Sequence, residues 1–267
     1  MRTEIYYFSG TGNSLHVSKE LQKRLPDSSL IPIMRLLKKE KIRAKAEKVG
    51  IVFPIHALTL PWPVKDFLQK IELESTSYLF AIATRECFAT VFSKIDKLLA
   101  NQNRSLDAYL SFEMPMNYIP MFEPYSQEKI DAVESKMLEK LDSFAQVINN
   151  GETFRPKDNP LYFGLSHAIY PLLTYVFHKR RFPKMERSFY ADSKCSECGT
   201  CEQVCLSNKI KLVDKKPVWQ ENVKCTYCFA CLNYCPSHAI QIKGKNTVNR
   251  GRYHHPDISA KDILDQK

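Results

Sequence analysis

The feature that most constrains this chain of 267 residues is a cysteine pattern that occurs twice in its last third. Both runs have the form C-x-x-C-x-x-C-x-x-x-C, and only Cys87 of the nine cysteines lies outside them. The first run comprises Cys195, Cys198, Cys201 and Cys205, and the second comprises Cys225, Cys228, Cys231 and Cys235. Three cysteines at intervals of three wrap one loop around three irons of a cubane cluster, which leaves the fourth iron to a more distant thiolate. The repeat therefore predicts two 4Fe-4S clusters.

Zinc binding and disulfides are the alternative uses of such cysteines. Zinc sites usually group their four ligands as two separated pairs, often with histidine, and they do not need a third closely spaced thiolate. Disulfides suit secreted chains. The N-terminal residues, Met1 to Ile5, lack the charged-then-apolar pattern of a signal segment, so we expect a cytoplasmic protein with reduced cysteines.

The segment from about 188 to 243 resembles the bacterial two-cluster ferredoxins, in which the last cysteine of each run ligates the other cluster. One departure is Leu206, which follows Cys205 where the family usually has proline. The resemblance implies one cluster held by Cys195, Cys198, Cys201 and Cys235, and a second held by Cys205, Cys225, Cys228 and Cys231.

A second motif lies near the N-terminus. Residues 4 to 8 form a β-rich run that ends at Ser9-Gly10-Thr11-Gly12-Asn13-Ser14, and the apolar spacing from Leu15 to Leu25 predicts a helix after it. Gly10 and Gly12 let backbone N–H groups turn toward an anion, and the helix N-terminus adds positive potential. The loop lacks the Gly-Lys-Ser/Thr of a triphosphate loop and the third glycine of a dinucleotide fingerprint. A mononucleotide phosphate therefore fits it best.

This loop resembles the FMN phosphate loop of flavodoxins. Further strands are predicted at 30–34, 49–53, 78–84 and 107–112 with helical patterns between them, and a long helix capped by Ser126 follows. The predicted fold class is α/β, a flavodoxin-like doubly wound parallel sheet followed by an α+β bacterial dicluster ferredoxin domain. The resemblance places FMN at the C-terminal ends of the strands. The FMN-binding residues it implies are Ser9, Gly10, Thr11, Gly12, Asn13, Ser14, Pro54, Ile55, His56, Ala57, Thr84, Arg85, Glu86, Cys87 and Phe88.

Several side chains near these loops have two interpretations. Trp62 is either a flavin contact or a core residue, and His56 either lies beside the flavin or caps its loop. Arg85 either stabilises a reduced, anionic flavin or pairs with Glu86. The loop at 114–120, which carries two methionines and a tyrosine, covers the flavin or the domain junction, or else packs in the core.

The composition divides the chain into four segments. They are a flavodoxin-like domain at 1–151, a linker with an interdomain helix at 152–187, a ferredoxin domain at 188–243 and a basic tail at 244–267. Within the linker, Leu161 to Phe177 is apolar but is broken by Pro171, which favours a helix buried between the domains over a transmembrane span. The basic residues after it leave weak association with a membrane surface as a minor alternative.

The tail carries His254 and His255, which suggest a metal site. Neighbouring side chains point apart and we expect no further ligand near them, so the sequence favours a solvated or partner-touching tail instead.

The formal net charge is +10, which suggests nucleic-acid binding. Two clusters with their thiolates add about four negative charges and a flavin phosphate nearly two, which leaves roughly +4. Much of the basic excess therefore balances cofactors, and no nucleic-acid partner is predicted.

The whole layout resembles the flavodoxin–ferredoxin fusion proteins of anaerobic bacteria and archaea. The resemblance implies FMN and two 4Fe-4S clusters in one chain, with electrons passing between them and an external redox partner protein or small-molecule acceptor. Three roles stay open: an electron-transfer flavodoxin/ferredoxin, an FMN-dependent reductase with His56 or Tyr118 as its acid, and a redox-sensing interaction protein. The oligomeric state is not predicted.

Overall fold

The computed structural model of the chain describes residues 2–85, 91–156 and 170–267. Glu86, Cys87 and Phe88 of the expected flavin loops, and residues 161–169 of the apolar segment, lie outside these ranges. The elements of the first part are β1 (Thr3–Tyr7), α1 (Asn13–Arg24), β2 (Ser28–Pro32), α2 (Ile33–Leu36), β3 (Ile42–Arg43), β4 (Lys48–Pro54), α3 (Trp62–Lys70), β5 (Ile71–Glu72), β6 (Tyr78–Arg85), α4 (Phe92–Leu99), β7 (Ala108–Glu113) and α5 (Gln127–Asn150).

Shorter elements make up the second part. They are α6 (Tyr170–Val176), a π-helical turn (Phe177–Arg181), α7 (Phe182–Glu186), β8 (Phe189–Ala191), α8 (Thr200–Gln203), β9 (Ile210–Val213), β10 (Lys216–Trp219), α9 (Ala230–Asn233), β11 (Ile240–Ile242) and α10 (Ala260–Leu264).

A five-stranded parallel sheet forms the centre of the first part, in the order β2-β1-β4-β6-β7. Numbered among themselves, these strands follow the order 2-1-3-4-5 of the flavodoxin-like folds. The central strands are buried on both faces, which is why 49–53 and 79–83 are almost wholly apolar runs. Gly50 is required in β4, since a Cβ there would lie 2.2 Å from the ring of Phe80 on β6. The predicted flavodoxin-like α/β fold is confirmed.

Helix α5 covers one face of this sheet and begins and ends as its sequence predicts. The Ser126 hydroxyl accepts from the Lys129 N–H at 3.4 Å, and Gly151 ends the helix with a left-handed φ of 68°. The buried stripe of α5 includes Met137, Leu141 and Phe144, which join the core of the sheet.

The cysteine-rich part is a small α+β unit in which β8 pairs with β11 and β9 pairs with β10, both antiparallel. The two cysteine runs follow the same backbone course. Left-handed φ angles recur at matching offsets from the first cysteine of each run, at Glu197 and Tyr227, at Gly199 and Phe229, and at Asn208 and His238. The carbonyl of Cys205 accepts from Asn208 N at 2.9 Å, and that of Cys235 accepts from His238 N at 3.0 Å. Leu206 therefore preserves the turn that Pro236 makes in the second run.

The C-terminal tail packs against the first part of the chain. Ile258 and Ile263 are 0% exposed and belong to the core cluster of the sheet. The Gln266 side chain donates to Ser9 O at 2.9 Å and accepts from Ser9 N at 3.0 Å. The expectation of a solvated tail is therefore wrong. Because His255 stacks on His16 of α1, the expectation that no further ligand lies near it is wrong too.

The described half of the apolar segment does not form a buried interdomain helix. In α6, Leu172 is 65% and Tyr175 is 60% exposed, which contradicts the expected burial between domains. Thr174 and Phe177 are half-buried, and the Thr174 hydroxyl lies 3.4 Å from Ala57 O. Among the described residues, no helix combines the length and apolar character that crossing a membrane requires.

Candidate cofactor sites

A cavity of about 300 Å³ lies at the C-terminal ends of β4 and β6, the edge at which a flavodoxin-like sheet binds its ligand. The volume is in the range of small-molecule sites. The expected FMN-binding residues that line it are Asn13, Pro54, Ile55, His56, Ala57, Thr84 and Arg85. Three separate loops of the sequence are thus brought together around one space.

The start of α1 borders this cavity through Asn13 and fits a phosphate group. Gly12 precedes the helix with a φ of 100°, no side chain caps it, and its first turn contains no acidic residue. The first N–H groups of a helix have no intrahelical acceptor, so they are available to an anion. The uncapped helix start next to a cavity is the observation on which the fit of FMN rests.

The other residues of the phosphate loop are buried and bonded to neighbouring parts of the chain. The Thr11 hydroxyl accepts from Asn117 Nδ2 at 2.6 Å, and the Ser14 and Thr84 hydroxyls lie 2.7 Å apart. The Ser9 N–H donates to Gln266 of the tail. Of the phosphate loop, only Asn13 lines the cavity; Ser9, Gly10, Thr11, Gly12 and Ser14 do not. A phosphate bound by the Thr11 and Ser14 hydroxyls would replace their present hydrogen-bond partners, Asn117 and Thr84.

A tight turn presents the residues that follow β4. His56 and Thr59 exchange both backbone hydrogen bonds at 3.0 Å, and Ala57 and Leu58 between them have φ of 45° and 65°. Two successive left-handed residues are the geometry of a type I′ turn. The turn sets the His56 ring edge-on to Phe8, with centroids 6.0 Å apart, and puts Ala57 and Leu58 on the cavity wall.

The sequence indicated only part of the rest of the cavity wall. The loop at 114–120 lines the cavity, as one of its three interpretations proposed, whereas Trp62 is absent from the lining residues. The additional lining residues are Leu58, Met114, Pro115, Met116, Asn117, Tyr118, Phe122, Phe177, Phe182, Tyr227, Cys228 and Phe229. Six of these twelve are aromatic, which gives the cavity flat surfaces that suit a planar ring system.

The second cysteine run contacts the loops around the cavity directly. A Cβ on Gly10 would lie 2.4 Å from Cys228 Cβ, so glycine permits the phosphate loop to touch this cysteine. Trp62 Nε1 donates to Cys225 O at 3.0 Å, and Asn233 Nδ2 donates to Asn117 O at 3.2 Å. These contacts hold the cysteine-rich part against the sheet on the side of the cavity.

The four cysteines implied for the first cluster line one small cavity: Cys195, Cys198, Cys201 and Cys235. Burial, together with smaller contributions from the nearby Cys235, Cys195 and Cys198, raises the pKa of the Cys201 thiol to about 11. Cys235 comes from the other run, so the fold brings the distant fourth thiol to the first three. Cys198 is exposed, so this group reaches the protein surface.

The cysteines implied for the second cluster are also neighbours. Burial raises the pKa of Cys231, and Cys205, Cys228 and Cys225 raise it further, in that order. Clustered buried thiols of this kind do not ionise alone, whereas a bound metal centre supplies the positive charge that makes thiolates stable. Cys201 of the first group also raises the pKa of Cys231, because the two groups of cysteines lie close to each other.

A buried ion pair between Lys209 and Glu186 lies next to the second group of cysteines. Lys209 is 3% exposed, and its Nζ lies 2.6 Å from Glu186 Oε1 and 2.7 Å from Val223 O. The other Glu186 oxygen accepts from the Tyr227 hydroxyl at 2.6 Å. Although burial raises the pKa of Glu186, the hydrogen bonds from Lys209 and Tyr227 lower it. The pair therefore fixes Tyr227, whose ring stacks on Phe182 at 4.3 Å in the cavity wall.

No protein-family model and no curated protein matches this chain. Among solved structures, an FMN-dependent NADH-azoreductase from Bacillus anthracis is 9% identical, with a TM-score of 0.36 over 55% of this chain and 99% of its own. A flavodoxin from the domain Archaea is 11% identical, with a TM-score of 0.34 over 55% and 99%. An NAD(P)H:quinone oxidoreductase from Methanothermobacter marburgensis is 6% identical, with a TM-score of 0.35 over 60% and 99%. The strand order itself assigns the first part to the flavodoxin-like α/β folds, and a small cysteine-rich α+β part follows it.

Proposed function

We propose that this chain is an iron–sulfur flavoprotein that carries FMN and two 4Fe-4S clusters and transfers electrons between them in the cytoplasm. The observation that carries the proposal is the shared wall of the cavity, to which flavodoxin-type loops and the cysteine-rich part both contribute. When bound, the clusters carry single electrons and the flavin accepts one or two, so the flavin converts between the two modes.

The placement of the cysteines supports an order for the three cofactors. Cys228 and Tyr227 line the cavity, so the group of Cys205, Cys225, Cys228 and Cys231 lies next to it. The group that contains Cys198 reaches the surface. We infer that an external redox partner exchanges electrons with the surface cluster and that the inner cluster connects it to FMN. A fixed geometry within one chain replaces a diffusional encounter between separate carriers.

Stopped-flow spectroscopy under anaerobic conditions tests this function. A low-potential one-electron donor is mixed with the protein, and the cluster and flavin absorbances are followed separately. We expect the clusters to bleach first and FMN to follow within seconds at a rate independent of protein concentration. FMN that stays oxidised beside reduced clusters would contradict internal transfer.

An FMN-dependent reductase is the second candidate, and one observation favours it. His56 and Tyr118 both line the cavity, so two groups able to move a proton border the proposed flavin site. Burial raises the pKa of Tyr118, which keeps its hydroxyl protonated as an acid requires. In this role Tyr118→Phe lowers turnover of a small acceptor while leaving FMN reduction by the clusters unchanged; in a carrier without a substrate, no acceptor-dependent turnover exists.

A further inference from the structure

Two histidines from distant parts of the chain stack on each other beside the start of α1. The rings of His16, in α1, and His255, in the tail, have centroids 3.7 Å apart and an interplanar angle of 18°. They are 5% and 4% exposed. Asp257 lies next to them, and one donor atom of each of these three residues lies within 4.8 Å of the others. The cluster is separate from the cysteines and is not used in the proposed electron transfer.

The Glu134 carboxylate faces the Nε2 atoms of both rings. His16 Nε2 lies 2.5 Å from Glu134 Oε1, and His255 Nε2 lies 3.6 Å from Glu134 Oε2. The contact with His16 is a hydrogen bond, and His255 Nε2 faces the second oxygen of the same carboxylate.

The other nitrogen of each ring is then turned toward Asp257. His16 Nδ1 lies 3.6 Å from Asp257 Oδ2, and His255 Nδ1 accepts from Asp257 N at 3.3 Å. His255 Nδ1 accepts a hydrogen bond and so presents a lone pair, which a metal ligand needs. In a neutral His16 that donates from Nε2 to Glu134, the lone pair is likewise on Nδ1.

We propose that His16 Nδ1, His255 Nδ1 and the Asp257 carboxylate bind a divalent transition metal ion of the zinc and ferrous class, with Glu134 orienting both imidazoles. Two imidazoles and one carboxylate form a ligand set that these ions prefer. Metal-bound histidines commonly donate the other ring N–H to a carboxylate, and here His16 Nε2 lies 2.5 Å and His255 Nε2 3.6 Å from the Glu134 carboxylate. The Asp257 side chain is 70% exposed, so the remaining coordination positions face water. The ion replaces the hydrogen bond from Asp257 N and opens the two rings from their stacked arrangement.

The site joins three elements next to the loop proposed to hold the FMN phosphate. His16 belongs to α1, Glu134 to α5 and His255 to the tail, and His255 N donates to Thr11 O at 2.8 Å. An ion bound only in the folded state therefore stabilises the docked tail against the body of the protein.

Metal binding to the full-length protein with its clusters tests the proposal. The protein is treated briefly with EDTA, dialysed anaerobically against Co²⁺ or Zn²⁺, and analysed for metal content together with iron. We expect one added equivalent in the wild type and none in His255→Ala. His254→Ala is the matched control, because His254 stacks on Tyr234 at 4.2 Å outside the cluster, and it retains the added equivalent.

Two further variants separate metal binding from folding. Asp257→Asn changes an exposed ligand, and we expect it to lose the added equivalent while keeping its iron. Glu134→Gln, which alters only the orienting group, weakens Co²⁺ binding by about 10- to 100-fold. A wild type that binds no more Co²⁺ than Asp257→Asn overturns the proposal, and so do variants of His255 and Asp257 that bind it as tightly as the wild type.

Discussion

Gly10 shows at the scale of one residue how closely the two parts of the chain approach. A Cβ there would lie 2.4 Å from Cys228 Cβ and 2.8 Å from Cys228 O, atoms that cannot rotate away. We expect Gly10→Ala to lower stability by about 1 to 3 kcal/mol and to reduce FMN content, since the phosphate loop must shift. The urea midpoint and bound flavin measure this. Gly251→Ala, whose Cβ meets Pro124 Cγ at 3.2 Å, is the control and should change little.

Lys209 provides a second test at this scale. The side chain of Lys209 is 4% exposed and that of its partner Glu186 is 16% exposed, so removing the cation leaves a carboxylate in a poorly hydrated position. We expect Lys209→Met to cost about 3 to 5 kcal/mol and to speed the loss of cluster absorbance in urea. Lys211→Met is the matched control, because Lys211 is 48% exposed and its contact with Glu202 is 3.3 Å. Equal effects of the two variants would contradict a structural role for the buried pair.

Single residues also mark the limit of prediction from this sequence. Asn13, Thr84 and Arg85 were predictable as cavity residues. Thr84 and Arg85 end β6 and Asn13 follows the loop after β1, and both strands end at the same edge of the parallel sheet. Tyr227 and Phe182 were not, since nothing in their local pattern states how the cysteine-rich part is placed against the sheet.

The burial of the C-terminal helix α10 against the core was not predicted from the sequence. Ile263 in this helix is 0% exposed, while its neighbour Leu264 is 37% exposed. We expect Ile263→Ala to cost about 2 to 5 kcal/mol and Leu264→Ala much less, as read from urea midpoints. If both substitutions shift the midpoint equally, the tail does not pack as described.

Elements with strong local signals were predictable, whereas packing of the tail was not. The Ser126 cap and Gly151 stop of α5 are encoded in neighbouring residues. The tail has one such signal, the capping box of Ser259 and Asp262 before Ile263, but its basic composition favoured a solvated segment. Burial of α10 depends on contacts with Ser9 and α1 that lie far away in the sequence.

At the scale of the whole molecule, the two parts share a core, so a change at the cofactor site of one part can affect folding and cofactor binding in the other. Val204, Ala230 and Tyr234 of the cysteine-rich part pack in the same cluster as the sheet. Because a unit this small has little core of its own, the clusters should supply much of its folding free energy.

We therefore expect Cys198→Ser to make residues 188–243 sensitive to protease in an anaerobic digest. Cys198 lies on the exposed side, away from the cavity, so this variant should retain FMN. Cys228→Ser, which changes a residue of the cavity wall, should lose FMN as well. Unchanged protease resistance in Cys198→Ser would argue against cluster-dependent folding.

The central claim is that one chain holds two 4Fe-4S clusters and one flavin. Purification without oxygen, followed by quantitation of iron, acid-labile sulfide, zinc and flavin per chain, tests it most directly. The account predicts about eight irons, about eight sulfides and about one FMN. Two zinc ions with no sulfide and no flavin would contradict it.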